Sequence, residues 1–283
     1  MENIVELENV YFRYSGSDEY ALENITFKAR KGEYILITGP SGCGKSTLTR
    51  VLNGLIPNFY EGELKGKIKV AGLDVRETPA YIMAKHVGTV FQDPENQLFL
   101  STVEREIAFG LENLGFPRGE MRKKVENILK MFGLQELRNR APFELSGGQQ
   151  QKVAIASIIA LQPEILILDE PTANLDPLSA EEVLSLVDKL VKELSMLAIV
   201  IEHRLEIALK YSTRMIIMDK GKIIADGNPR EVILKDEAKK VGIPKVVEVY
   251  RRLSLEGVRL RSVPLSPSEF VTFFLEEVMS NGK

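Results

Sequence analysis

Cysteine is nearly missing from this sequence: Cys43 stands alone among 283 residues, which excludes an internal disulfide framework and fits a reducing, cytosolic compartment. Histidine is almost as scarce, with two. Neither charge dominates. The 37 basic and 40 acidic residues leave a formal net charge of −3, without the basic excess that a general nucleic-acid binder would carry. Apolar runs are brief, and the longest, residues 153–161, falls well below the roughly 20 residues that span a bilayer. Residues 1–8 lack the basic-then-apolar profile of a secretory signal. These absences set the expectation of a soluble chain whose membrane role, if it has one, is exercised through a partner. At 44% hydrophobic content the chain can still bury one large core or two smaller ones.

What is present is more specific. Gly39, Pro40, Ser41, Gly42, Cys43, Gly44, Lys45, Ser46 and Thr47 fit the pattern G-x-x-x-x-G-K-[ST] and follow the apolar run 34–38. A phosphate-cradling loop needs this context. Glycines let the chain curl so that backbone N–H groups point at anionic oxygens, Lys45 adds a charge for the β- and γ-phosphates, and the Ser46 hydroxyl can join a Mg²⁺ shell. The helix expected after Gly44 turns its positive end to the same phosphates. That dipole would also lower the pKa of Cys43, although Cys43 reads as a tolerated small residue rather than a nucleophile.

The periodicity around this loop gives the organisation. Strands are expected near residues 5–12, 21–29, 34–38, 68–71 and 87–91, with helices at 45–55 and 79–85. From 103 to about 161 the pattern is helical, clearest at 103–114 and 120–132. Residues 165–168 and 197–201 are continuous apolar runs, as in strands covered on both faces, and flank a helix at 178–194. Residues 215–218 and 222–225 suggest a closing hairpin. The alternation predicts an α/β fold, a doubly wound core with an inserted helical subdomain.

Two further motifs carry chemistry. The strand 165–168 ends in Asp169 and Glu170. Beside a phosphate loop, Asp169 can hold Mg²⁺ and Glu170 can polarise an attacking water; solvated acids at a strand end are the plainer reading. Ser146, Gly147, Gly148 and Gln149 precede a helix-like run at 150–161. They make either a simple N-cap or a second anion cradle, with open N–H groups and a hydroxyl at a positive helix end. Two phosphate-seeking loops but one loop lysine are explained if each loop binds an opposite side of one nucleotide, the second loop coming from another subunit.

Together these motifs resemble the nucleotide-binding subunit of ABC transporters, over residues 5–229: Walker A at 39–47, signature at 145–149 and Walker B at 165–170. The resemblance implies a P-loop ATPase core with an N-terminal antiparallel β-subdomain, an ABC domain at 1–228 with its helical subdomain inserted at about 93–161, and a helical C-terminal extension at 229–283. It implies ATP and Mg²⁺ as ligands. Glu170 and His203 would act on the attacking water and γ-phosphate, with Lys45 and Gln92 beside them. Ser46, Gln92 and Asp169 would face the metal, and Tyr14 would stack on adenine. Ser146, Gly147, Gly148, Gln149 and the D-loop Asp176 would reach the nucleotide from the partner subunit. Gln92 would also sense the transmembrane partner.

The run 91–99, continued by 102–110, and the hexapeptide 201–206 are similar to energy-coupling factor transporters, which take up vitamins and cobalt or nickel. That resemblance implies an importer ATPase at the cytoplasmic face of the cell membrane, bound to a coupling protein and a substrate-binding component. Leu98 and Phe99 would anchor the coupling helix. The ATPase would pair with itself or a similar chain, helped by the C-terminal extension. Nucleic acid is not expected as a partner. Another ABC importer class is the alternative. A soluble DNA-directed ABC machine is opposed by the lack of long heptads or paired cysteines between Lys45 and Ser146, and a non-hydrolysing scaffold by the intact Glu170 and His203.

Overall fold

The computed structural model describes residues 2–281; Met1, Gly282 and Lys283, the ends of the two expected domains, lie outside the described residues. Two sheets organise the chain. The first is antiparallel, in the order β2 (Leu22–Arg30), β1 (Asn3–Tyr14), β4 (Gly62–Val70), β5 (Leu73–Asp74). The second has six strands in the order β10 (Lys222–Gly227), β9 (Arg214–Asp219), β3 (Tyr34–Thr38), β8 (Leu197–Ile201), β7 (Ile165–Asp169), β6 (Val87–Val90). From β9 to β6 its neighbours run parallel, and β10 closes one edge antiparallel to β9.

The continuous apolar strands are covered on both faces because successive side chains alternate. Ile35 and Ile37 of β3, with Ile199 and Ile201 of β8, join a core shared with the antiparallel sheet through Phe12, Ile25 and Phe27. Tyr34 and Leu36, with Val200 and Leu168, turn to the other side, under the helices. Those helices are α3 (Val103–Asn113), α4 (Arg118–Phe132), α5 (Gly147–Ile159) and α6 (Pro177–Leu194), later in the chain than α1 (Lys45–Leu52) and α2 (Ala80–His86). Each fully buried Leu or Ile contributes roughly 1.5–3 kcal/mol relative to exposure.

Where the elements differ from expectation, local chemistry explains it. Helix α1 ends at Leu52 instead of continuing to 55, because Gly54 turns left-handed at φ 77°. Strand β4 starts at Gly62, six residues before the apolar signal, since its first half is polar and gains its place by pairing with β1 from Tyr14 to Glu8. The two-residue β5 gave no sequence signal. Helix α5 starts at Gly147 rather than 150, because Ser146 caps it. In the C-terminal part, α7 (Lys245–Leu255) and α8 (Pro267–Asn281) are held to the body of the protein. Val246 and Val247 of α7 join the core under the helices, and Lys245 N donates to Glu206 Oε1 at 2.8 Å. Arg230, just after β10, makes two 2.8 Å bonds to the Glu269 carboxylate of α8, and Lys240, on the segment leading into α7, pairs with Asp219 at the end of β9.

Among the described residues, no helix is long and apolar enough to cross a membrane.

Candidate functional site

Parallel strands leave their carboxyl ends on one side of a sheet, and in open α/β folds that is where ligands bind. Here β3 delivers the loop 39–44, β7 delivers Asp169 and Glu170, β8 delivers Glu202 and His203, and β6 delivers Phe91 and Gln92. Four segments distant in sequence therefore meet at one rim.

The loop is shaped by close backbone approach. A Cβ on Gly39 would lie 2.2 Å from the Met218 carbonyl oxygen, and Gly44, the N-cap of α1, sits at φ 105° with the Ala21 carbonyl 2.5 Å from where a Cβ would be. Side chains at either position would push the loop off the sheet. Lys45 is 6% exposed; its ammonium curls under the loop, donating to the carbonyls of Gly39 (2.8 Å) and Pro40 (3.0 Å). Cys43 is buried beside it, and burial pushes its thiol above the ordinary value. The expected lowering by the helix end is thus overturned: desolvation of a thiolate outweighs the dipole and the nearby Lys45.

Asp169 is half-buried. Burial, and then the charge of Glu170, hold its carboxyl above the usual aspartate value, while a hydrogen bond from Ser46 and the charge of Lys45 act the other way. A serine hydroxyl bonded to a carboxylate that burial has made reluctant to ionise, with a second carboxylate adjoining, is a hard oxygen set short of positive charge. These donors fit Mg²⁺.

Glu170 links the other two strands. Its Oε2 accepts from Gln92 Nε2 at 3.0 Å, and its Oε1 lies 3.1 Å from His203 Nε2. The structure thus brings Gln92, Glu170 and His203 into direct contact, next to Asp169. Glu170 itself adopts a left-handed conformation, φ 50°, uncommon for a side chain of this type.

Other expected positions stand apart from this cluster. Ser146 Oγ accepts from Gln149 N at 3.4 Å while Gln149 Oε1 accepts from Ser146 N at 3.1 Å, a reciprocal cap. Gly148 passes close to Ser179, where a Cβ would approach to 3.0 Å. This helix end lines a cleft of about 560 Å³ with residues 92–96, Pro171, Asn174 and Leu175; none of residues 39–47 lines it. Asp176 caps α6, accepting from Leu178 N and Ser179 N at 3.0 Å each and from Ser179 Oγ at 2.6 Å. These bonds, led by the Ser179 hydroxyl, hold its carboxyl below the usual range.

Tyr14 ends β1 with its hydroxyl 3.2 Å from Thr47 Oγ1 and accepting from Arg50 Nη1 at 2.9 Å. Arg50 also covers the Tyr60 ring at 4.6 Å. Leu98, expected as a surface anchor, is partly buried: it packs against the core on one side and lines a surface cavity with Phe99 and Phe143 on the other. Phe99 remains 66% exposed, edge-on to Phe109 at 5.0 Å.

Sequence reasoning did not single out Arg50, Thr172, Asn174, Glu202 or Arg204 by a role of its own. One signal was available: Glu202 is a lone acid directly after the five-residue apolar strand β8, a place where a carboxylate is buried or functional.

Comparison with known proteins accords with this geometry. The ABC transporter family profile matches residues 22–173. A protein of Pyrococcus abyssi bearing the name ABC transporter ATP-binding protein is 43% identical over 272 residues, 95% of this chain and 97% of that one. The chain spans 43%, 41% and 48% of the lengths of three further, longer relatives. Among solved structures, cbiO1 of Clostridium perfringens, described as part of the ABC transporter complex cbiONQ, is 34% identical with a TM-score of 0.78, covering 91% of this chain and 98% of that one. The ATP-binding cassette MJ0796, in a dimeric post-hydrolysis state bound to ADP and Pi, is 30% identical with a TM-score of 0.69, covering 80% and 99%.

Proposed function

The chain belongs to the ABC transporter family as an ATP-binding ATPase subunit, and from that premise we propose that it powers a membrane importer of the energy-coupling factor type. The observation that carries the catalytic reading is the contact of Glu170 with both Gln92 and His203 beside the Lys45 loop. Glu170 orients and partly deprotonates the attacking water. His203 holds Glu170 and the γ-phosphate in register. Lys45 leaves its loop carbonyls to meet the β- and γ-phosphates, and the loop N–H groups stabilise charge on the phosphoryl group in transfer. Ser46, Asp169 and Gln92 would hold Mg²⁺, which when bound supplies positive charge to the phosphate oxygens. Tyr14 offers its ring to adenine.

Ser146 and Gly147 are exposed at the capped start of α5, which supports this end serving the nucleotide of a second copy or a similar chain. Asp176 stiffens the turn that meets the same partner. The dimeric state of MJ0796 supports that pairing. The similarity to cbiO1, described as part of a transporter complex, supports integral-membrane partners and a peripheral place at the cytoplasmic face. Exposed Phe99 is the anchor for the membrane subunit, and residues 229–283 form an extension that aids pairing.

The test is extraction in mild detergent followed by identification of co-purifying proteins, with ATP hydrolysis assayed on the complex. Integral-membrane subunits are expected. Recovery of DNA or ribosomes in their place would overturn the transport reading.

A further inference from the structure

Glu202 is 2% exposed, and the catalytic reading above gives it no part. Its carboxylate nevertheless accepts from four donors on the two segments that bear the catalytic pair. Oε1 accepts from Thr172 N at 3.0 Å and from Thr172 Oγ1 at 2.6 Å. Oε2 accepts from His203 N at 3.1 Å and Arg204 N at 3.3 Å. The next residue but one completes the grip: Arg204 Nη1 donates to the carbonyls of Thr172 (3.1 Å) and Leu175 (2.9 Å).

The backbone shows what this grip holds. Glu202 N donates to Ile37 O of β3 at 3.2 Å and Glu170 N donates to Ile201 O of β8 at 3.0 Å. The segment bearing His203 is thus stitched to the strand that leads into the phosphate loop, and the segment bearing Glu170 is stitched to β8 beside it. Just beyond β7 the chain turns through Glu170 at φ 50°, closed by Ala173 N to Glu170 O at 3.1 Å. A left-handed residue of this kind persists where its surroundings over-determine it. Thr172, two residues on, is the point at which the turn is fastened, and Glu202 is the fastener.

We propose that Glu202 is a positioning residue for hydrolysis: one buried carboxylate fixes the turn carrying Glu170 and the backbone of His203 in a single frame, so that the two side chains meet. This rests on the catalytic reading of Glu170 and His203, and it assigns the buried acid between them. Glutamine at 202 keeps the shape but brings an amide donor against N–H and O–H donors, and valine at 172 removes one hydroxyl bond while keeping the volume.

The experiment uses the full chain in the wild-type form and as Glu202→Gln, Thr172→Val and Thr172→Ser, with Glu170→Gln alongside. Steady-state ATP hydrolysis gives kcat and KM, and amide hydrogen exchange reports on residues 170–176. Because misplacing a catalytic group by about 1 Å costs up to about 100-fold, kcat is expected to fall roughly tenfold to 100-fold in Glu202→Gln and less in Thr172→Val. KM for ATP should stay within about twofold, and Thr172→Ser should restore kcat. Exchange in 170–176 is expected to quicken in Glu202→Gln and Thr172→Val. Should Glu202→Gln fail to fold, Thr172→Val and its serine counterpart carry the test. Unchanged exchange, an unchanged kcat, or a rise in KM that accounts for the loss would each overturn the assignment. Equal rates in wild type and Glu170→Gln would instead sink the general-base reading, and the exchange measurement would still judge the fastener.

Discussion

Gln92 Nε2 donates to Glu170 Oε2 at 3.0 Å although 78 residues separate them. The contact exists because β6 and β7 are parallel neighbours, paired from Val87 with Ile165 to Val90 with Leu168, so their carboxyl ends deliver both side chains to the same height. The residue placed at a transporter interface by resemblance thus touches the one assigned to the water.

Replacing Glu170 by Gln removes the base and keeps the amide capable of bonding. A general base contributes about 100-fold to 10,000-fold, so turnover should drop into that range while ATP binding persists. ATP-dependent dimers should accumulate, as read by size-exclusion chromatography with light scattering. Wild-type-like hydrolysis would remove Glu170 from its role.

Lys45→Ala deletes a charge that the loop holds ready, with its stem already buried. Hydrogen bonds to charged groups are worth about 1.5–3 kcal/mol, so the Kd for ATP should rise roughly tenfold to 100-fold. Isothermal titration would measure it. Unaltered affinity counts against the cradle.

His203→Ala is expected to lower kcat by roughly tenfold or more through the lost contact with Glu170, with ATP affinity changed far less. Combined with Glu170→Gln in a double-mutant cycle, the two losses should fall well short of additive. Full additivity of the two would show that they act separately.

The Arg230–Glu269 pair gives a pH signature. The hydrogen bond from Arg230 is the main cause holding the Glu269 carboxyl below its usual value. A folded-state pKa depressed in this way contributes stability that is complete above the unfolded carboxylate value of about 4.3 and is lost as pH falls through the lower folded value. Limited proteolysis should therefore release α8 as the medium passes below about pH 4, and Glu269→Gln should loosen it already at neutral pH. Release of α8 at the same pH in both proteins would refute the assignment.

Much of this architecture was legible in advance. The strands with continuous apolar runs, β3, β7 and β8, stand within a residue of where pattern placed them, because burial on both faces admits little else. The phosphate loop and the Asp169–Glu170 pair were equally plain, since their chemistry demands particular residue types at a fixed spacing. Polar strand halves such as 62–67 were hidden, being held by pairing with β1 rather than by side-chain burial. The direction of the shift at the Cys43 thiol was not legible, because burial rather than helix position decides it, while its reading as a tolerated small residue agrees with that burial. Thr172 and Glu202 were invisible for a related reason: their meaning lies in a contact 30 residues long in sequence, made only when β7 and β8 lie side by side.

Asn174 Nδ2 donates to Asp93 Oδ1 at 3.0 Å. One of these residues follows Gln92, on the side assigned to the membrane subunit; the other precedes Asp176, on the side assigned to the second copy. Any coupling carried through this contact would be reciprocal: whatever docking at one surface did to the affinity for the other neighbour, that neighbour would return in equal measure. Conversation between the two neighbours proposed for this subunit would then need no long relay, only a single amide and a carboxylate.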